Sequence, residues 1–285
     1  MQMGTAKDPL RTKPQIGLAP MEGVTDFPCR FWFTLVGGMD FVSTPFLRVT
    51  TNPSGLQQKR HWAPECHVEN LAPKIVTPVA LQLMAPDANS FLREGKPFLS
   101  LVKHIELNCG CPSRRATGKG VGSHLLRDVA YFGSLATEIA EGLGPKRFAI
   151  KMRTGFNDTE SFEGLLQSIA HLPLAQLTIH GRTRLQGYTG LADWKKIGKA
   201  KKLVPFPVFG SGDITDRASF DQRQLEASTD GVIIGRGALA NPWIFHTIKE
   251  KEVKLDQELL QSSLHTFVLL HEAFCKNPEK IGRAH

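Results

Sequence analysis

Short apolar runs recur along the chain at residues 16–19, 41–43, 79–83, 104–107, 148–152, 177–179, 208–209 and 232–234. Each has the length of a buried strand and is bounded by glycine, proline or polar residues. The segments between them are longer and often amphipathic. Their spacing predicts helices over 27–36, 88–102, 131–143, 160–172, 193–202 and 216–225. Thr25-Asp26 and Asp87 supply N-caps for the first two, and several others begin near Asp, Glu or Thr. The stretch 47–78, broken by Pro53, Pro64 and Pro73, reads as irregular. Strands alternating with helices imply a parallel sheet with right-handed crossovers. Eight such units across about 235 residues predict a (β/α)8 TIM barrel, whose usual size is roughly 250 residues. An open doubly wound sheet would carry G-x-G-x-x-G after its first strand. Here that strand ends in Ala19-Pro20-Met21-Glu22-Gly23.

The expected organisation is therefore a flexible leader over 1–15, a barrel over 16–246 and the start of a helical domain over 247–285. Residues 255–275 are helical by pattern, with apolar Leu259, Leu260, Leu264, Phe267, Val268 and Phe274. One helix cannot bury such a face alone, so it must pack on the barrel or be followed by more chain.

Composition narrows the function. Of 285 residues, 41% are hydrophobic, enough for a sizeable core, and no apolar run approaches the ~18 residues of a membrane span. The first fifteen residues have no apolar core, so they are no secretory signal. The formal net charge of +8 fits a lysine-rich surface or a polyanionic partner such as nucleic acid. The odd count of five cysteines points to a reducing compartment, and the cytoplasm is expected. Cys109 and Cys111 do not have redox C-x-x-C spacing, and His61, Cys66 and His67 fit no usual metal pattern, so no metal is expected.

In a barrel the residues just after each strand share one face, and that face carries the chemistry. They are Pro20 and Met21, Thr44 and the later Arg48, Gln82, Asn108 and Cys111, Lys151 and Arg153, His180 and Arg182, Ser211-Gly212-Asp213, and Gly235-Arg236-Gly237. So many buried polar groups need partners, which a ligand rich in oxygen and nitrogen would supply. The two glycine turns after the last strands match the phosphate position of many barrels, and Arg236 adds a donor. Lys151 could be a Schiff-base lysine or a fixed cation. His180 could be a base, a hydrogen-bonding group or a core histidine. Cys111 could be a small buried hydrophobe or a proton donor, since a thiol pKa near 8.5 suits protonation of a carbanion-like centre.

Taken together, Ala19-Pro20-Met21-Glu22-Gly23, Gln82-Leu83, Glu106-Leu107-Asn108-Cys109-Gly110-Cys111-Pro112-Ser113, Lys151-Met152-Arg153, His180-Gly181-Arg182-Thr183, Gly212-Asp213-Ile214 and Ile234-Gly235-Arg236-Gly237 resemble the tRNA-dihydrouridine synthase family, in its order. Gln186-Gly187-Tyr188 and Asp193-Trp194 lean towards its bacterial C-type branch. The resemblance implies FMN on the strand ends, with its phosphate at Ser211, Gly212, Asp213, Gly235 and Arg236. Pro20, Met21, Gln82, Asn108, Lys151 and His180 would hold the ring and ribityl chain. NADPH would be the reductant. A uridine flipped out of tRNA would be the substrate, position 16 by the C-type leaning, with Cys111 protonating C5. Arg48, Arg114, Arg115, Lys119, Arg153 and Arg182 would face the tRNA, and a monomer is expected. Ser211 stands where the family often has Asn, and Pro45 where many relatives carry Glu. Residues 281–285 look like the opening of the family's C-terminal helical domain. The rival functions are a reductase of free pyrimidines, a Schiff-base aldolase using Lys151, and a tRNA-binding protein without activity.

Overall fold

The computed structural model describes residues 13–66, 77–113, 118, 120–250 and 256–274. Among the described residues nine strands lie in one parallel sheet: β1 (Gln15–Leu18), β2 (Phe41–Ser43), β3 (Leu47–Arg48), β4 (Val79–Met84), β5 (His104–Cys109), β6 (Phe148–Arg153), β7 (Gln176–His180), β8 (Val208–Ser211) and β9 (Gly231–Ile234). Pairing runs sequentially from β4 to β9, then through β1 and β2, and the β2–β4 pairing closes the ring. The result is an eight-stranded (β/α)8 barrel. The two-residue β3 extends the C-terminal end of β4, with Leu47 opposite Leu83.

The helices are α1 (Phe27–Val36), α2 (Leu56–Trp62), α3 (Ala88–Gly95), α4 (Val129–Leu143), α5 (Phe162–Ile169), α6 (Trp194–Leu203), α7 (Arg217–Ala227), α8 (Arg236–Ala240), α9 (Ile244–Ile248) and α10 (Gln257–Phe274). Asp26 and Asp87 cap α1 and α3 by accepting from Cys29 N and Ser90 N. The segment expected to be helical through residue 102 ends at Gly95 and tightens into a 3-10 turn at Lys96–Phe98. Pro97 explains this, because it lacks the N–H and its ring clashes with the preceding turn. The irregular stretch contains a helix after all: α2 fits between Pro53 and Pro64, and its first turn has no capping side chain to announce it.

Most of the core lies between sheet and helices, where Leu18, Leu81, Ile105, Leu107, Ile150 and Ile179 face outward from the barrel. A smaller apolar plug of Ala19, Phe41, Ala80, Phe209 and Ile233 fills the barrel itself. Phe41 and Phe209 meet edge to face at 5.8 Å. Gly17 makes room for this plug, since a Cβ there would lie 2.4 Å from Phe41 Cζ. Above the plug the interior is polar, and that layer becomes the site. The C-terminal α10 packs on α1: Trp32 Nε1 donates to the Ser263 carbonyl at 2.9 Å, and Trp32 meets Phe267 edge to face. The opposite side of α10, including Leu264, is exposed.

Candidate active site

The strands run further than their apolar runs suggested, so Asn108, His180 and Ser211, like Lys151, are strand residues. A polar side chain does not end a ladder when the barrel interior offers it partners. Register sets the first cluster. Gln82 lies opposite Glu106, and Asn108 opposite Lys151. Gln82 Nε2 donates to Glu106 at 2.6 Å, and Asn108 Nδ2 donates to Gln82 Oε1 at 2.7 Å. Asn108 Oδ1 then accepts from the backbone N–H groups of Gly110 and Cys111, at 3.0 and 2.9 Å. Burial pushes the Lys151 ammonium below its ordinary pKa, and Glu106 works in the opposite sense. Glu106 itself is raised by burial, with Lys151 and Gln82 offsetting part of the rise.

Cys111 follows β5 and is half-buried, whereas Cys29, Cys66 and Cys109 are buried. Its loop is tied from both sides: Asn108 holds the Cys111 N–H, and Ser123 Oγ donates to the Cys111 carbonyl at 2.8 Å. Burial raises the thiol pKa, opposed by the Ser113 N–H and by Arg48 and Arg153. The thiol is therefore held protonated at neutral pH, as a proton donor must be. Cys109, two residues earlier, points into the outer core.

A cavity of about 440 Å³ is lined by Pro20, Met21, Lys151, His180, Gly212 and Arg236 among others, so Lys151 joins it to the cluster above while Gln82, Asn108 and Cys111 stay outside its lining. The Pro20-Met21 turn is pinned by Thr25, whose Oγ1 accepts from Met21 N at 2.8 Å. His180 has its pKa lowered to about 2 by burial and by Arg153, Lys151 and Arg182, so its imidazole is neutral. Its Nδ1 is buried without a hydrogen-bond partner. Gly212 has φ +121°, and a Cβ there would sit 2.7 Å from Ala192 Cβ. Trp194 Nε1 donates to the Gly212 carbonyl at 3.0 Å, which gives the Asp193-Trp194 motif a structural reason.

The cations divide. Arg236 is largely exposed and lies over Tyr188, 4.7 Å from the ring centroid, with Asp213 at 4.0 Å. Arg48 is half-buried at the end of β3. Arg153 and Arg182, grouped above with the tRNA-facing residues, are both buried. Arg153 donates to the carbonyls of Gly110, Thr183 and Gly187. Arg182 donates to Asp213 at 2.7 and 2.9 Å and to the Gly190 carbonyl at 2.6 Å. Most of their donors hold the loop after β7, although Arg182 Nη1 is buried without a partner. The Asp213 carboxylate is likewise committed, accepting from Arg182 and from Ala192 N at 2.7 Å. Arg114, Arg115 and Lys119 lie outside the described residues.

Two participants escaped the sequence reading. Glu106 was visible only as part of a motif, although its i, i+2 relation to Asn108 on a strand places both on the inner face. Tyr188 sits between Arg153 and Arg236 over the cavity mouth. An aromatic flanked by glycine in a loop following a strand end was the available signal.

A closed parallel barrel with a thiol, a half-buried lysine and a glycine cradle at its strand C-termini is the frame of a barrel enzyme. Two solved structures share the fold: the old yellow enzyme of Trypanosoma cruzi (TM-score 0.56, 10% identity, covering 91% of this chain and 94% of that one), and morphinone reductase (TM-score 0.54, 12% identity, covering 83% and 86%). The sequence profile of the dihydrouridine synthase (Dus) family matches residues 17–277, and the chain belongs to that family of oxidoreductases. It is 31% identical over 244 residues to the tRNA-dihydrouridine(16) synthase of Salmonella typhimurium, covering 84% of this chain and 77% of that protein. The Escherichia coli protein of the same name is also 31% identical, covering 84% and 76%. A fungal tRNA-dihydrouridine(47) synthase, from Coprinopsis cinerea, is 36% identical over 168 residues, covering 55% and 25%. Among the described residues no helix is long and apolar enough to cross a membrane.

Proposed function

We propose that this protein reduces a uridine of tRNA to 5,6-dihydrouridine, at position 16, with FMN in the cavity and NADPH as reductant. The observation that carries the reading is a cavity of about 440 Å³ lined by the Lys151 cation and a neutral His180 imidazole, with the protonated Cys111 thiol tethered by Asn108, which lies opposite Lys151 on the next strand. The residues present suit a flavin mononucleotide. His180 Nδ1 lacks a partner, a Cβ on Gly212 would lie 2.7 Å from Ala192 Cβ, and Arg236 offers a phosphate donor. FMN reduced by NADPH supplies a hydride for C6 of the uracil.

The chain's own groups do the rest. Lys151 presents a positive charge to the cavity, where developing negative charge is stabilised. His180, neutral, donates or accepts a hydrogen bond without adding charge. Cys111 Sγ gives its proton to C5, and Asn108 holds the loop that aims it. Chemistry on a base requires its extrusion from the stack, with a cationic entrance for the backbone. Arg48, Arg114, Arg115 and Lys119 are assigned to that entrance, while Arg153 and Arg182 shape the loop behind it. The reading includes a monomer acting in the cytoplasm, and family membership counts against the Schiff-base aldolase.

The deciding experiment incubates the purified protein with NADPH and an unmodified tRNA transcript, then maps dihydrouridine by nucleoside mass spectrometry. Dihydrouridine at position 16 is expected. A flavin that NADPH reduces but tRNA never reoxidises would overturn the reading in favour of tRNA binding without activity.

A further inference from the structure

Glu106 takes no part in the chemistry above, yet it is 2% exposed at the centre of the polar layer. A carboxylate so deep is retained only where partners repay its desolvation. It has three. Gln82 Nε2 donates to it at 2.6 Å. Thr178 on β7, whose Oγ1 accepts from Gln176 Nε2 at 2.9 Å, favours its charged form. Lys151, diagonal to it on β6, is its opposite charge.

Glu106 Oε1 takes the donor end of the Gln82 amide, which leaves Gln82 Oε1 for Asn108 Nδ2. That choice turns Asn108 Oδ1 towards the N–H groups of Gly110 and Cys111. Each amide could otherwise point either way. We propose that Glu106 is the positioning residue of this site: its carboxylate sets the polarity of the Gln82–Asn108 chain that holds the Cys111 loop, and it is the counter-ion of Lys151. The first role stands on hydrogen bonds alone. The second rests on FMN occupying the cavity.

Two variants separate the roles. Glu106→Gln keeps the shape but removes the charge and lets Gln82 reverse. Glu106→Asp keeps the charge beside Lys151 but withdraws one methylene from Gln82. Alkylation of Cys111 by iodoacetamide, followed on its own peptide in flavin-free protein, reports the loop. It should rise about tenfold in both variants, the opening expected when one such hydrogen bond is lost. The flavin midpoint potential reports the counter-ion. It should fall in Glu106→Gln, where Lys151 holds its charge less well, and stay near wild type in Glu106→Asp. Alkylation within twofold of wild type in both variants overturns the positioning role. An unchanged potential in Glu106→Gln overturns the counter-ion role. Should Glu106→Gln fail to fold, Glu106→Asp still decides the first. Neither readout uses tRNA, so a wild-type protein inert towards tRNA refutes the functional reading and leaves this one standing.

Discussion

Replacing Asp213 by alanine tests whether the buried Arg182–Asp213 pair holds the loop over the cavity. Arg182 has a side chain only 3% exposed, and Asp213 meets it at 2.7 Å. Removing the carboxylate leaves a buried guanidinium without its counter-charge, at a cost of about 3–5 kcal/mol. The Ala192 N–H also loses its acceptor, worth about 1 kcal/mol. Two effects reduce the sum. Arg182 keeps its bonds to the Thr189 and Gly190 carbonyls, and the Asp213 side chain is 18% exposed, so water can enter. A net loss of about 3–4 kcal/mol follows, or a fall in melting temperature of roughly 10 °C for a domain of this size. Asp213→Asn, which keeps an acceptor without the charge, should lie between. The assay is thermal unfolding of the flavin-free protein followed by circular dichroism. A loss below about 1 kcal/mol would refute the reasoning and return Arg182 to a substrate-facing role. Acid adds a second check. Burial favours the neutral acid, but the Ala192 N–H and Arg182 outweigh it and hold the Asp213 carboxyl below its ordinary range. Its contribution is therefore full above the unfolded carboxyl pKa of about 4 and fades as pH falls through the depressed folded value.

Cys111→Ala should keep bound flavin and its reduction by NADPH but lose about 10²–10⁴ of uridine reduction, the usual worth of a general acid; Cys109→Ala should lose far less, and equal losses would mean that the wrong thiol is assigned. Because burial raises the Cys111 thiol, wild-type uridine reduction should persist into alkaline pH and fall only as the thiol ionises. Gly210→Ala would put a Cβ 2.1 Å from Trp194 Cζ3; denaturant titration should show a loss of about 1–3 kcal/mol from overpacking. His271 is lowered by burial, but Asp26 and the Phe267 carbonyl outweigh this and raise it; docking of α10 on α1 should therefore be strongest below the unfolded histidine pKa of about 6.5 and weaken as pH rises through the higher folded value, and hydrogen exchange in α10 should lose that dependence in His271→Ala.

Eight apolar runs and their spacing were enough to read a barrel from one dimension, because strand and helix periodicities are local. The cavity-facing residues Pro20, Met21, Lys151, His180, Gly212 and Arg236 were legible for the same reason: in this topology every strand end reaches one face. Helix α2 was not legible, since its first turn carries no capping side chain and prolines flank it. Nor were the roles of Arg153 and Arg182. A sequence shows a cation near a strand end but not whether it faces solvent.

What the sequence determined by itself is the alternation of strand and helix and the face that the polar strand-end residues share. The tertiary structure decided their partners. Gln82 meets Asn108 across 26 residues of chain, Arg182 meets Asp213 across 31, and Arg153 meets Gly110 across 43. Periodicity records which side of an element a residue occupies. Only barrel closure brings distant elements to one register, and that closure sets Glu106 against Gln82, Arg182 against Asp213 and the Cys111 loop against Asn108.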